Sequence, residues 1–194
     1  PHQGNDPLVA ASPLVIALQS IVSRNIHPCE SSVVSVTQIH GGDALNVIPE
    51  QVVLRGTIRA FKPEIQQQVE KRIEALCSGI GQSYGASITI CIDQRYPATV
   101  NHPDETALCQ RVAAQLLGKE NVRTSELPSM GAEDFAYMLR DKRGCYVWLG
   151  HGVSAQGAVS ACMLHSPHYD FNDEILPIGI RYWVQLVESA LERK

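Results

Sequence analysis

The chain has 194 residues, 44% of them hydrophobic, and sixteen Lys plus Arg against twenty Asp plus Glu leave a formal net charge of -4. That is enough apolar material for one ordinary core or two small ones, and the absence of a long run of either sign excludes an electrostatic footprint for nucleic acid. The longest apolar stretch, Leu8 to Val22, is broken by Ser12, Pro13, Gln19 and Ser20, short of the roughly 20 apolar residues a membrane span needs, so neither a nucleic acid nor a membrane is expected as a partner.

Asp6-Pro7 is a helix opening, because the carboxylate caps free N–H groups and the proline sits where its missing donor costs nothing. A largely apolar helix is predicted from there to about Arg24, with a bend at Pro13. Val- and Thr-rich Ser32 to Ile39 reads as a strand that ends at His40-Gly41-Gly42-Asp43. From Val52 to Ala60 the alternation puts Val52, Leu54, Gly56, Ile58 and Ala60 on one face and Arg55, Thr57 and Arg59 on the other. Pro63 opens a helix with the stripe Ile65, Val69, Ile73, Leu76 and Ile80. After Gly81 and Gly85 a further alternating strand is predicted, with Ile88, Ile90 and Ile92 on one face.

The order α-β-β-α-β is a ferredoxin-like β-α-β-β-α-β unit without its first strand, which is expected before Pro1. Beyond Tyr96-Pro97 helices are predicted at about Asp104 to Leu117 and Glu133 to Arg140, then a strand at Cys145 to Leu149. A last helix carries Ile180, Trp183, Val184, Val187 and Leu191 on one face. The fold class is therefore α/β: an α+β unit over residues 1-94, followed over residues 95-194 by part of an α/β layered domain. The boundary is expected near residues 94 to 103.

The six cysteines (Cys29, Cys77, Cys91, Cys109, Cys145 and Cys162) are scattered, with no Cys-x-x-Cys, which points to reduced thiols in a cytoplasm. The chain opens at Pro1, with no initiator Met and no signal region, as a piece of something longer would.

Three clusters have the residue types of a site. His165-Ser166-Pro167-His168-Tyr169-Asp170 gathers imidazoles and a carboxylate in a loop, where His165 and His168 are either ligand candidates or hydrogen-bonded loop residues. Met130-Gly131-Ala132-Glu133-Asp134-Phe135 places two acids at a helix start, which the helix dipole favours without any catalysis. Asn46 in the loop after His40, with Arg59 on the polar strand face, offers an amide and a planar fork of donors suited to a carboxylate. Their bland alternative is an Asx turn and a surface arginine. No Gly-x-Ser-x-Gly elbow, phosphate loop or dinucleotide fingerprint occurs, so serine hydrolase and nucleotide-dependent chemistry lose support.

In order along the chain, Pro1-His2 with Asp6-Pro7, Asn46-Val47-Ile48-Pro49, Gly56-Thr57-Ile58-Arg59, Tyr96-Pro97, Met130 to Phe135 and Leu164-His165-Ser166-Pro167 resemble the M20 amidohydrolases of the hippurate and N-acyl-amino-acid hydrolase type. The resemblance implies a two-domain enzyme whose catalytic α/β domain holds two divalent ions (Zn, Mn, Co or Ni) and is interrupted by a lid that commonly dimerises. Residues 1-94 would be most of the lid, and 95-194 the returning part of the catalytic domain. It implies that His165 is a metal ligand, that Asn46 and Arg59 bind the substrate's carboxylate or scissile carbonyl, and that Glu133 and Asp134 flank the active site. The remaining ligands and the general base would precede Pro1. Two functions follow: hydrolysis of N-acyl amino acids or small peptides by a cytoplasmic homodimeric parent enzyme, or a dimerisation or small-molecule-binding module without catalysis in the chain as given.

Overall fold

Helix α1 (Pro7–Ser20) opens as its first residues dictate: the Asp6 carboxylate accepts the Leu8 N–H at 2.9 Å, and Pro7 takes the first helical turn. The structure is a computed structural model that describes residues 1–152, 164 and 166–191. Pro13 lies within α1, and the chain leaves the α-helix through a π-helical turn, Ile21–Asn25. From Pro7 to Asn25 this helix is long and apolar enough to cross a membrane by length and composition, which the broken apolar run did not suggest. Here it serves as a core helix: Leu14, Leu18 and Ile21 are buried together with Ile26, Val34, Ile65, Val69 and Cys77.

Strands β1 (Ser32–His40) and β2 (Val53–Ala60) form an antiparallel hairpin in which Val33 faces Arg59 and His40 faces Val53, with an irregularity between Val36 and Gln38. Leu54, Ile58 and Ala60 lean onto the core, as their alternation requires. Gly56 sits opposite Val36 beside that irregularity, where a Cβ would run into the Ser35 carbonyl. Gly56→Ala is expected to cost about 1–3 kcal/mol, the usual range for overpacking; a thermal melt unchanged from the wild type would contradict this close approach.

Helix α2 (Pro63–Tyr84) buries Ile65, Val69, Cys77 and Gly81, and it ends on Gly85 in the left-handed conformation with φ 63°, a cap that glycine adopts without steric cost. The strand expected at Ile88 to Ile92 is not formed. This segment carries no ladder, although Ile88 packs on the core. A ferredoxin-like unit seats its last strand beside its first, and among the described residues no strand precedes α1 to pair with it. The chain divides into two compact units, the first comprising residues 1–98 and 130–133 and the second residues 99–129 and 134–194.

In the second unit, helix α3 (Pro103–Leu117) buries Cys109 and Val112, α4 (Phe135–Asp141) buries Ala136 and Leu139, and α5 (Leu176–Leu191) closes the chain. The predicted strand at Cys145 to Leu149 is not formed either; its start is held by the Asn101 side chain and the His102 backbone. The Asn101 amide donates to the Tyr146 carbonyl at 2.8 Å and accepts its N–H at 2.7 Å, while the His102 N–H donates to the Gly144 carbonyl at 3.0 Å.

The apolar stripe of α5 exists, but it is not the buried face. Ile180, Trp183, Val184, Val187 and Leu191 are 52–64% exposed, while the less apolar side that carries Tyr182, Gln185 and Leu186 is half-buried. The Tyr182 hydroxyl reaches the Cys109 carbonyl of α3 at 3.4 Å.

Arg143 clasps the first turn of α3, donating to both Glu105 oxygens at 2.8 and 3.0 Å and to Asp104 at 2.8 Å. The hydrogen bond from Arg143 holds the Glu105 carboxyl below its ordinary value. A carboxyl lowered on folding stabilises above its unfolded pKa, about 4.3 for Glu, and loses that contribution as pH falls through the folded value. Wild type should therefore melt above Arg143→Ala at pH 6–7, with the gap closing in acid below about pH 4. Melts recorded from pH 7 to 2.5 that keep a constant gap would overturn the assignment.

Candidate active site

The polar face of β2 carries Arg55, Thr57 and Arg59, and only the last is drawn into a structural contact beyond the hairpin. Arg55 is exposed and donates to Gln38 at 3.3 Å. Arg59 is half-buried, and its guanidinium donates to the Met130 carbonyl, within the first unit. Its other donors make no further bond among the described residues, so much of the planar fork is left for an anion.

Asn46 lies exposed in the loop that joins the far ends of the two strands. Arg59 is six positions beyond Val53, roughly 20 Å along an extended strand, so the hairpin does not bring the two side chains together. The loop instead encloses a shallow basin of about 770 Å³ whose lining includes His40, Asp43, Val47, Pro49 and Glu50.

The two acids of the Met130 to Phe135 segment differ in exposure: Glu133 is half-buried and Asp134 exposed. Helix α4 begins at Phe135, later than the expected start at Glu133, so neither acid occupies its first turn. Asp134 caps through its carbonyl, which accepts the Tyr137 N–H at 3.0 Å, and its carboxylate makes no capping bond. Capping by the Asp134 side chain therefore does not explain why an acid stands there.

His165 lies outside the described residues; the residues that follow it, from Ser166, form turns. The Ser166 hydroxyl accepts the His168 N–H at 3.2 Å, and the Ser166 carbonyl accepts the Tyr169 N–H at 3.1 Å. His168 itself is exposed.

Asn172 was not assigned a role from sequence, and it ties this loop down. It is 6% exposed, donates to the His151 carbonyl at 2.8 Å and accepts the Glu174 N–H at 3.1 Å. The His151 ring meets Tyr169 edge-on at 5.5 Å, and its buried Nδ1 has no hydrogen-bond partner among the described residues. The cap on Glu174 was legible as an Asx start to a short helix. The link to His151, twenty-one positions away, has no sequence signal.

Among the described residues no group of three or more His, Cys, Asp or Glu side chains is arranged to hold a metal ion.

The chain matches the profile of peptidase family M20/M25/M40 over residues 4–189. It is 33% identical to hippurate hydrolase of Campylobacter jejuni over 99% of its own length and 48% of that protein. It is 36% identical to N-acetyldiaminopimelate deacetylase of Enterococcus faecalis over 93% of its length and 46% of the relative. N-acetylcysteine deacetylase of Bacillus subtilis is 33% identical, over 99% of this chain and 48% of its own. Among solved structures, the YXEP protein of Bacillus subtilis, described as a dinuclear metal binding peptidase from the M20 family, superposes with a TM-score of 0.75 at 27% identity, covering 97% of this chain and 46% of the other. The chain thus spans about half the length of the curated relatives it matches.

Proposed function

Since the chain belongs to peptidase family M20/M25/M40, we propose that it forms part of a metal-dependent amidohydrolase that cleaves the amide bond of N-acyl amino acids. The observation that carries this reading is Arg59, a half-buried guanidinium with one bond to the Met130 carbonyl and its remaining fork uncommitted among the described residues. An N-acyl amino acid has a free carboxylate beside its scissile amide. A charge-assisted hydrogen bond to such a group is worth about 1.5–3 kcal/mol. In this reading Arg59 orients the substrate, Asn46 contacts a carboxylate or carbonyl oxygen, Glu133 and Asp134 flank the site, and His165 supplies one ligand to a divalent metal centre whose other ligands lie elsewhere in the enzyme.

The hydrolases named above act on N-acylated amino acids by their descriptions, which supports this substrate class over a general peptide. A homodimer through the first unit is part of the proposal, supported by the two-stranded sheet, whose strands each leave one edge unpaired among the described residues. So is a cytoplasmic location, in keeping with the free thiols of Cys29, Cys77, Cys91, Cys109 and Cys145.

The test is the gene product together with any sequence that adjoins these residues, assayed for bound metal and for hydrolysis of hippurate and acetylated amino acids. Metal-dependent release of the free amino acid is expected. A metal-loaded protein inactive across the panel would sink the proposal. A second reading, that the 194 residues alone are a non-catalytic binding or dimerisation module, is favoured by the lack of a ligand cluster among the described residues. Appreciable metal-dependent turnover by the isolated chain would overturn that one.

A further inference from the structure

Two of the cysteines meet in the second unit. Cys109 is buried on α3, one turn beyond Thr106, and the thiol of Cys145 neighbours both of these side chains. The segment that carries Cys145 is fastened beside α3 on both sides, by His102 to Gly144 and by Asn101 to Tyr146. Tyr182 of α5 closes the cluster, with its hydroxyl at 3.4 Å from the Cys109 carbonyl. Cys29 and Cys91 are by contrast exposed, and Cys77 is buried in the first unit.

We propose that Cys109 and Cys145 form an oxidisable dithiol, whose intramolecular disulfide latches α3 to the 144–146 segment. The oxidant is a low-molecular-weight disulfide. The Cys145 thiolate, on the more accessible of the two sulfurs, attacks it and releases one thiolate, leaving a mixed disulfide on Cys145. The Cys109 thiolate then displaces the second small thiolate and closes the Cys109–Cys145 bond. Two protein thiols are oxidised by two electrons, the small disulfide is reduced to two thiols, and these take up the two protons.

Burial pushes the Cys145 thiol up from its ordinary value, so closure has a pH signature. The attacking thiolate is scarce at neutral pH, and the rate should rise by up to about tenfold per pH unit until the thiol titrates. The pair is therefore reduced by default and closes only under sustained oxidation.

The experiment is incubation of the folded protein with oxidised glutathione at pH 7, 8 and 9, followed by alkylation and peptide mass mapping. The expected product is a Cys109–Cys145 linked peptide pair two hydrogens lighter than the separate peptides, formed faster at pH 9 than at pH 7. It should be absent in Cys145→Ser and retained in Cys77→Ser. The linked form should melt higher, on the order of 5 °C for a loop of this length, and dithiothreitol should reverse the shift. Stable glutathione adducts on Cys145 without the link, or both thiols intact after Cys29 and Cys91 are fully modified, would overturn the proposal. The wild-type peptide map decides the matter even where a serine variant does not fold.

Discussion

Replacing Arg59 by alanine in the intact enzyme is expected to raise the Michaelis constant for carboxylate-bearing N-acyl amino acids by roughly 10- to 150-fold, the equivalent of a lost charge-assisted hydrogen bond of about 1.5–3 kcal/mol. The corresponding amino-acid amides, which lack the anion, should be affected far less. The half-buried guanidinium is already fixed by the Met130 carbonyl, so little side-chain freedom remains to be lost when a carboxylate arrives. Arg59→Lys should fall between the two, because an ammonium keeps the charge and loses the two-pronged geometry. Steady-state kinetics on matched acid and amide substrates make the measurement. Equal losses on both would assign Arg59 to holding the Met130 segment rather than the substrate.

The largest stability effect is expected at Ile21. It is 0% exposed where α1 gives way to the π turn, packed with Leu18, Ile26 and Val69. Ile21→Ala should cost about 2–5 kcal/mol through lost burial and the cavity left behind, lowering the melting temperature by roughly 5–15 °C. Ile16 on the same helix is 74% exposed, and Ile16→Ala should stay within about 0.5 kcal/mol. Melts followed by circular dichroism separate the two. Equal losses would mean that α1 does not bury the face seen here.

Elements with local causes were legible in the sequence. Asp6-Pro7 opens α1, the alternation from Val52 to Ala60 gives β2 with its core face correct, and the Ile65 to Ile80 stripe packs as a helix should. Each is decided by spacing within a few residues. The failures are elements that depend on partners distant in the chain. Ile88 to Ile92 and Cys145 to Leu149 have strand composition, but a strand exists only through its ladder. The first has no neighbouring strand to pair with among the described residues, and the second is met by the Asn101 side chain. On α5 the apolar stripe was legible as a pattern, but periodicity does not say which side has something to pack against, and the stripe is exposed.

The site divides in the same way. Arg59 was legible as the polar-face arginine of a strand, and its contact with Met130, seventy-one positions away, was not. The distance between Asn46 and Arg59 along the hairpin follows only once the register is known. Asn172 makes a side-chain bond to the His151 carbonyl that spans twenty-one positions and was not legible.

The two tryptophans of the chain, Trp148 and Trp183, are 68% and 64% exposed. The second stands on the outward stripe of α5, and Gly179 on that helix lies against Leu149, the residue after the first. Their fluorescence should have the long-wavelength emission of water-exposed rings in the isolated chain. Any polypeptide that covers α5 would shift that emission to shorter wavelength and protect it from aqueous quenchers. The protein thus carries its own optical gauge of whether this face of α5 is covered, readable without a label or an activity assay.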